Sequence, residues 1–197
     1  HDEVAMRHVL DASLKVLSQE ALSQCVTEWS TEMHAEMLAL TTWAAGNLEA
    51  EASQSPIVAF KHDPSDQLES MPSWSAMAEL FLSKKGLPRK KVDKRQGFPA
   101  AGKNASVEEQ ELFKAQKKRF AELSEKLQKE VAFCEAMHAL RELPPIYYAD
   151  DQWEILRSTF ELLNYAEAEL RVVFSREGKT DFVAVALAAL TALGDDG

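Results

Sequence analysis

Apolar residues recur at three- and four-residue steps along most of this chain, the spacing that gathers them on one side of an α-helix. Val4, Val9, Leu10, Leu14 and Leu17 form one stripe over residues 2–20. A second pattern covers residues 22–51, with an interruption near Ser30, and carries Val26, Met33, Met37, Leu40, Ala44 and Leu48. Ser73 is placed to cap a helix running to Lys85, with Trp74, Met77, Ala78 and Phe81 inward. Ser106 and Glu109 have the spacing of a capping box at the head of the longest pattern, residues 106–142. Phe113, Phe120, Leu123, Leu127, Val131, Cys134 and Met137 run along it, and it reads as a single helix about 55 Å long. Pro144 and Pro145 end it, because proline lacks the amide donor and its ring clashes with the preceding turn.

Asp150 or Asp151 then caps a helix in which Trp153, Leu156, Phe160, Leu163, Leu170 and Phe174 face one way as far as Gly178. Thr180 opens a last one with Phe182, Val185, Ala189, Leu190 and Leu193 inward. Residues 52–72 hold Pro56, Pro64, Pro72 and several serines and read as a linker. Ile57-Val58-Ala59-Phe60 is the only β-like run and is too short to found a sheet. The pattern predicts an all-α fold of about six helices in a single domain over residues 1–197.

Composition changes this picture little, and charge changes it a good deal. The chain has 46% hydrophobic and 27% charged residues, ordinary values for a globular domain. Its two cysteines, Cys25 and Cys134, each sit in a helical pattern and make no disulfide framework, so a reducing, cytoplasmic setting is expected. No apolar run approaches the roughly 20 residues that cross a bilayer, and no signal peptide opens the chain. Asn104-Ala105-Ser106 matches a glycosylation sequon that, without an export signal, reads as chance. The first residue, His1, and the Gly-Asp-Asp-Gly ending lead us to expect an excised domain.

The net charge is −10, yet residues 84–103 carry Lys84, Lys85, Arg89, Lys90, Lys91, Lys94, Arg95 and Lys103 against the single acid Asp93. That island is +7 and leaves −17 on the remainder. Gly86, Pro88, Gly97, Pro99 and Gly102 punctuate it, so it is expected to be a loop. Charge segregated in this way points to an anionic partner held at one place. Arg89, Lys90, Lys91, Lys94 and Arg95 are the candidate phosphate contacts, joined more weakly by Lys117 and Lys118 of the cluster Lys114, Lys117, Lys118, Arg119. Trp74, Phe81 and Phe98 are the aromatics nearest the island in sequence, and cations with an occasional aromatic suit a phosphate backbone and a stacked base. Trp74 and Phe81 share the helical stripe and read as core, whereas Phe98 is open to either role. An acidic protein surface could use the same island, so a helical interaction module docking such a partner is the alternative reading.

Other chemistry is sparse. Glu135 and His138 have the Glu-x-x-His spacing of di-iron bundles, which need two such pairs and two further glutamates. His34 lies between Glu32 and Glu36 without a His-Glu-x-x-His pattern. Gly178-Lys179-Thr180 lacks the upstream glycine and preceding strand of a Walker A loop. With no nucleophile elbow and no singled-out carboxylate pair, the chain reads as a binding domain with no catalytic residue, metal or cofactor of its own.

Three stretches together carry a resemblance. The first is Gly86-Leu87-Pro88-Arg89-Lys90-Lys91-Val92 followed by Gly97-Phe98-Pro99. The second is Leu143-Pro144-Pro145 with Tyr148, Asp150, Gln152 and Trp153, and the third is Phe174 with Asp181-Phe182 heading an Ala/Leu-rich helix. In that order they resemble the region between the Walker A and Walker B motifs of UvrD-like superfamily 1 DNA helicases of the RecB/AddA type, the helicase subunits of bacterial recombinational-repair exonucleases. At residues 183–185 Val-Ala-Val replaces the family's usual Asp-Leu continuation. The resemblance implies the helical 1B subdomain, lying beside DNA, with residues 179–197 returning towards an ATPase domain absent from this sequence. It implies a bacterial, ATP- and Mg-dependent 3′–5′ helicase or exonuclease as parent. The family's catalytic residues would all lie outside residues 1–197.

Overall fold

A computed structural model describes residues 2–102, 106–179, 183, 185 and 186, and among these it contains α-helices, short 3₁₀ turns and no strand. The helices are α1 (Asp2–Glu28), α2 (Thr31–Ala50), α3 (Met71–Phe81), α4 (Val107–Leu127), α5 (Val131–Glu142) and α6 (Asp150–Glu177). The all-α expectation of about six helices is met. Of the helix expected from Thr180, only residues 183, 185 and 186 are described; they are helical, and Val185, expected inward, is 51% exposed, while Asp181 and Phe182 lie outside the described residues, as does Lys103. The chain divides into two compact units, His1–Tyr147 and Tyr148–Gly197.

The first unit is built around α3. Ser73, Trp74, Ala76, Met77, Ala78, Leu80 and Phe81 of this short helix are all buried. A helix that is apolar nearly all round must be enclosed by others, and α3 packs on α2, on α5 and on the 3₁₀ turn Pro56–Ala59. It begins two residues before Ser73, with Pro72 in its first turn, where the missing amide costs nothing. It ends at Phe81, four residues short of Lys85. Residues 52–72 are no slack linker: the run at Ile57 coils into that 3₁₀ turn, and Ile57 and Phe60 enter the core. The Trp74 indole Nε1–H donates to the Ser65 carbonyl at 2.9 Å, which ties the segment down.

The interruption at Ser30 is real, and it separates α1 from α2. Only the second half of α1 is sealed, through Ser18, Leu22 and Cys25, and α1 packs on α5. Along the stripe of its first half Leu10 and Leu14 are half-buried, whereas Val4 and Val9 are 77% and 61% exposed.

The largest departure concerns residues 106–142. The Ser106–Glu109 capping box forms as expected: the Glu109 amide donates to Ser106 Oγ and the Ser106 amide to Glu109 Oε2. The helix then breaks at residues 128–130, where the Lys129 and Glu130 amides donate three residues back, to Lys126 and Leu127. The apolar spacing runs on through the break because each side keeps its own inward face. The faces have different targets, since α4 lies against α2 and α5 against α1 and α3. One straight rod could not serve both, and Val131, inward in the unbroken reading, is 59% exposed.

In the second unit α6 starts with the Ala149 amide donating to Gln152 Oε1, so Asp150 and Asp151 occupy the first turn rather than the cap. Acids there still suit the positive end of the helix dipole. Gly178 closes α6 in the left-handed conformation at φ 61°, with the Lys179 amide donating to the Phe174 carbonyl. Of the described residues of α6, Trp153 is the one fully buried.

Candidate nucleic-acid interface

The loop after α3 is ordered by four sets of contacts. The Ser83 amide donates to the Leu87 carbonyl at 2.8 Å, and Leu82 and Pro88 form an antiparallel bridge, which closes a tight turn over residues 83–88. Gly86 at φ 75° lies flat on the His138 ring of α5, where any Cβ would collide with the imidazole. Further on, Asp93 caps the 3₁₀ turn Lys94–Gln96: its carboxylate accepts from the Arg95 amide at 2.8 Å, and Gln96 Oε1 accepts from the Asp93 amide. Gly97 at φ 76° presses on the backbone of α2 at Ala44, and its carbonyl accepts from Asn47 Nδ2 at 2.9 Å. Glycine is required at both places, by the sign of φ and by the closeness of a neighbour.

Phe98 settles on the structural side of its two readings. It is 1% exposed and meets Phe120 of α4 edge to face at 5.5 Å, while Phe120 stacks on Phe81. Trp74 is likewise sealed in the core, against Trp29 and Phe133. None of the three aromatics nearest the island is left to stack on a base.

The two arginines of the island behave unlike its lysines. Arg89 folds back beneath the end of α3, its guanidinium donating to the Glu79 carbonyl at 3.1 Å and the Leu82 carbonyl at 2.8 Å, with the Glu79 carboxylate 3.7 Å away. Arg141 of α5 approaches the same helix end, donating to the Ser83 carbonyl at 2.9 Å. The last carbonyls of a helix have no partner within it and carry its partial negative charge, so two guanidinium forks there satisfy both. Arg89 is therefore engaged by the fold, with its side chain 24% exposed, unlike the exposed lysines beside it. Arg95 is well exposed but forks onto Asp93, with Nη2 2.8 Å from Oδ2. That hydrogen bond, the Arg95 amide and the Lys117 charge together pull the Asp93 carboxyl down to about 2.

Lys84, Lys85, Lys90, Lys91 and Lys94 are exposed, and among the described residues Lys90, Lys91 and Lys94 have no ion-pair partner. The loop runs antiparallel along α4. Ser124 Oγ donates to the Arg89 carbonyl at 2.9 Å, and Lys90 shares a surface recess with Ser124 and Gln128. Phe98 meets Phe120, and residues 99–102 form a second recess with Phe113, Lys114 and Lys117. Lys90, beside Glu125, at one end and Lys114 and Lys117 at the other thus bound a strip along residues 114–128. At the helical rise its length is about 21 Å, or about six base pairs of B-form DNA. Lys118 is exposed and pairs with Glu122 at 3.7 Å, so it contributes less. Arg119 points elsewhere, forking onto Glu36 of α2 at 2.7 and 2.8 Å, a bond that also lowers the Glu36 carboxyl below its usual range.

The remaining titratable groups show little poised chemistry. Burial pushes the Cys25 thiol up to about 12, and burial with nearby Glu130 and Glu135 pushes Cys134 to about 11. His138 Nδ1 accepts from Arg141 at 3.0 Å. Among the described residues no three His, Cys, Asp or Glu side chains gather as a metal would need, and no helix is long and apolar enough to cross a membrane. No family model, curated protein or solved structure matches the chain.

Proposed function

We propose that this chain is a helical DNA-binding accessory domain, and that its parent is an ATP-dependent 3′–5′ DNA helicase or helicase–exonuclease of double-strand-break repair. The observation that carries the DNA-binding reading is the lysine strip. Lys90, Lys91 and Lys94 stand unpaired on a loop pinned by Gly86 and Gly97, and Lys114 and Lys117 continue the strip on α4. A local concentration of cations on a chain of net charge −10 attracts a polyanion there and repels it elsewhere. The phosphate-contact set becomes Lys90, Lys91, Lys94, Lys117 and, competing with Asp93, Arg95. With Trp74, Phe81 and Phe98 buried, the binding rests on cation–phosphate contacts, which carry no sequence information of their own.

The parentage is supported by the three ordered stretches that resemble UvrD-like helicases of the RecB/AddA type. ATP and Mg would be held by the parent's ATPase domains, and those domains and other repair subunits would be this domain's neighbours. The chain itself offers no phosphate-binding loop.

The test is a salt titration of affinity for a short duplex. Five phosphate contacts give a slope of about −4.5 in log K against log salt, a loss of about 500-fold between 50 and 200 mM. A flat dependence would remove the reading. For the parent, the full reading frame should place a Walker A motif upstream of residue 1 and an acidic ATPase motif shortly downstream of residue 197.

A further inference from the structure

A cleft of about 390 Å³ opens between the 83–88 turn and the junction of α4 with α5. Its apolar walls include Leu87 and Val131, which are 64% and 59% exposed. Large aliphatic side chains so exposed are usually scattered singly. These two share one cleft, and local structure fixes both there. Leu87 is presented by the closed turn whose glycine rests on His138, and Val131 is turned outward by the helix break at residues 128–130.

Polar groups surround the apolar floor. Lys85 and Lys90 supply cations, and Glu135 and His138 also line the cleft. Because His138 Nδ1 accepts from Arg141, the neutral ring carries its proton on Nε2 and has a donor to offer. The cleft therefore combines apolar walls with donors from Lys85, Lys90 and His138, the Gln128 amide and the Glu135 acceptor, in a volume large enough for one large side chain.

We infer that this cleft docks an acidic protein segment bearing one large apolar side chain. The apolar side chain covers Leu87 and Val131, and flanking carboxylates meet Lys85, Lys90 and His138. Glu135 separates this occupant from a nucleic acid. A phosphodiester backbone has no hydrogen-bond donor for a carboxylate, whereas a peptide presents an N–H at nearly every residue. The site is distinct from the strip along α4, although Lys90 borders both.

The test uses the whole chain and a fluorescein-labelled decapeptide of aspartates and serines with one central phenylalanine, compared with the same peptide carrying serine there. Anisotropy should show the phenylalanine peptide binding at least tenfold tighter. The double variant Leu87→Ser, Val131→Ser changes only exposed side chains. It should erase that preference while its melting temperature and its affinity for duplex DNA stay unchanged. Equal binding of the two peptides, or no binding of either, would overturn the inference. So would a loss of duplex affinity in the double variant, which would make the cleft part of a nucleic-acid surface.

Discussion

The inner and outer sides of the basic loop use the same charge for opposite purposes. On the inner side Arg89 is folded beneath α3, Gly86 and Gly97 lie against α5 and α2, and Phe98 is sealed against Phe120. On the outer side Lys90, Lys91 and Lys94 are exposed and form no ion pair among the described residues, although Glu125 and Glu135 line the recesses that Lys90 borders. A guanidinium presents a rigid fork and sheds its water readily, so it can serve two carbonyls in a half-buried place. An ammonium on a flexible stem is strongly hydrated and stays outside. The count of eight cations in sequence therefore overstates the number available to a ligand. Substitutions on the inner side should cost stability, and those on the outer side should cost only binding.

The largest expected effect is on the inner side. Phe98→Ala empties a sealed aromatic site and should destabilise the unit by about 3–5 kcal/mol, read by chemical denaturation. Arg89→Ala removes charged hydrogen bonds from two helix-end carbonyls and should cost about 2–3 kcal/mol. Once folding is restored by low temperature, its duplex affinity should match the wild type. A drop of tenfold or more would return Arg89 to the phosphate contacts. Glu36→Gln breaks the fork from Arg119 between α2 and α4; both groups are partly exposed, so about 1 kcal/mol is expected.

Smaller effects are read group by group. Asp93 should titrate near 2 rather than at the usual 3.8, followed by its carboxyl carbon shift. Since the folded value is the lower one, its support of the Lys94–Gln96 turn is complete above about pH 4 and fades as pH falls towards 2. Asp93→Asn should free Arg95 and raise duplex affinity a few-fold. Cys25 and Cys134 should resist a thiol reagent at neutral pH until the protein unfolds, because both are buried and held protonated.

Periodicity made the helices legible but not their partners. The stripes of α3 and α6 look alike in sequence, yet Trp74, Met77, Ala78 and Phe81 are all buried while Leu163 and Leu170 are 58% and 52% exposed. A period says which residues share a face, and only tertiary packing says whether that face is covered. The break between α4 and α5 was hidden for the same reason, since no proline or glycine marks residues 128–130. Within the candidate site the lysines could be read directly, because exposure is their default. The roles of Arg89 and Arg141 could not, because they depend on the end of a helix about 10 and 60 residues away in the chain. The one available signal was that Arg89 and Arg95 are the only arginines among the island's lysines.

The most direct test is to change Lys90, Lys91 and Lys94 together to Glu and measure duplex affinity across salt concentrations beside the melting temperature. The melting temperature should hold within a few degrees, while the slope of log K against log salt falls from about −4.5 to about −1.8. Superimposable binding curves for variant and wild type would contradict the account.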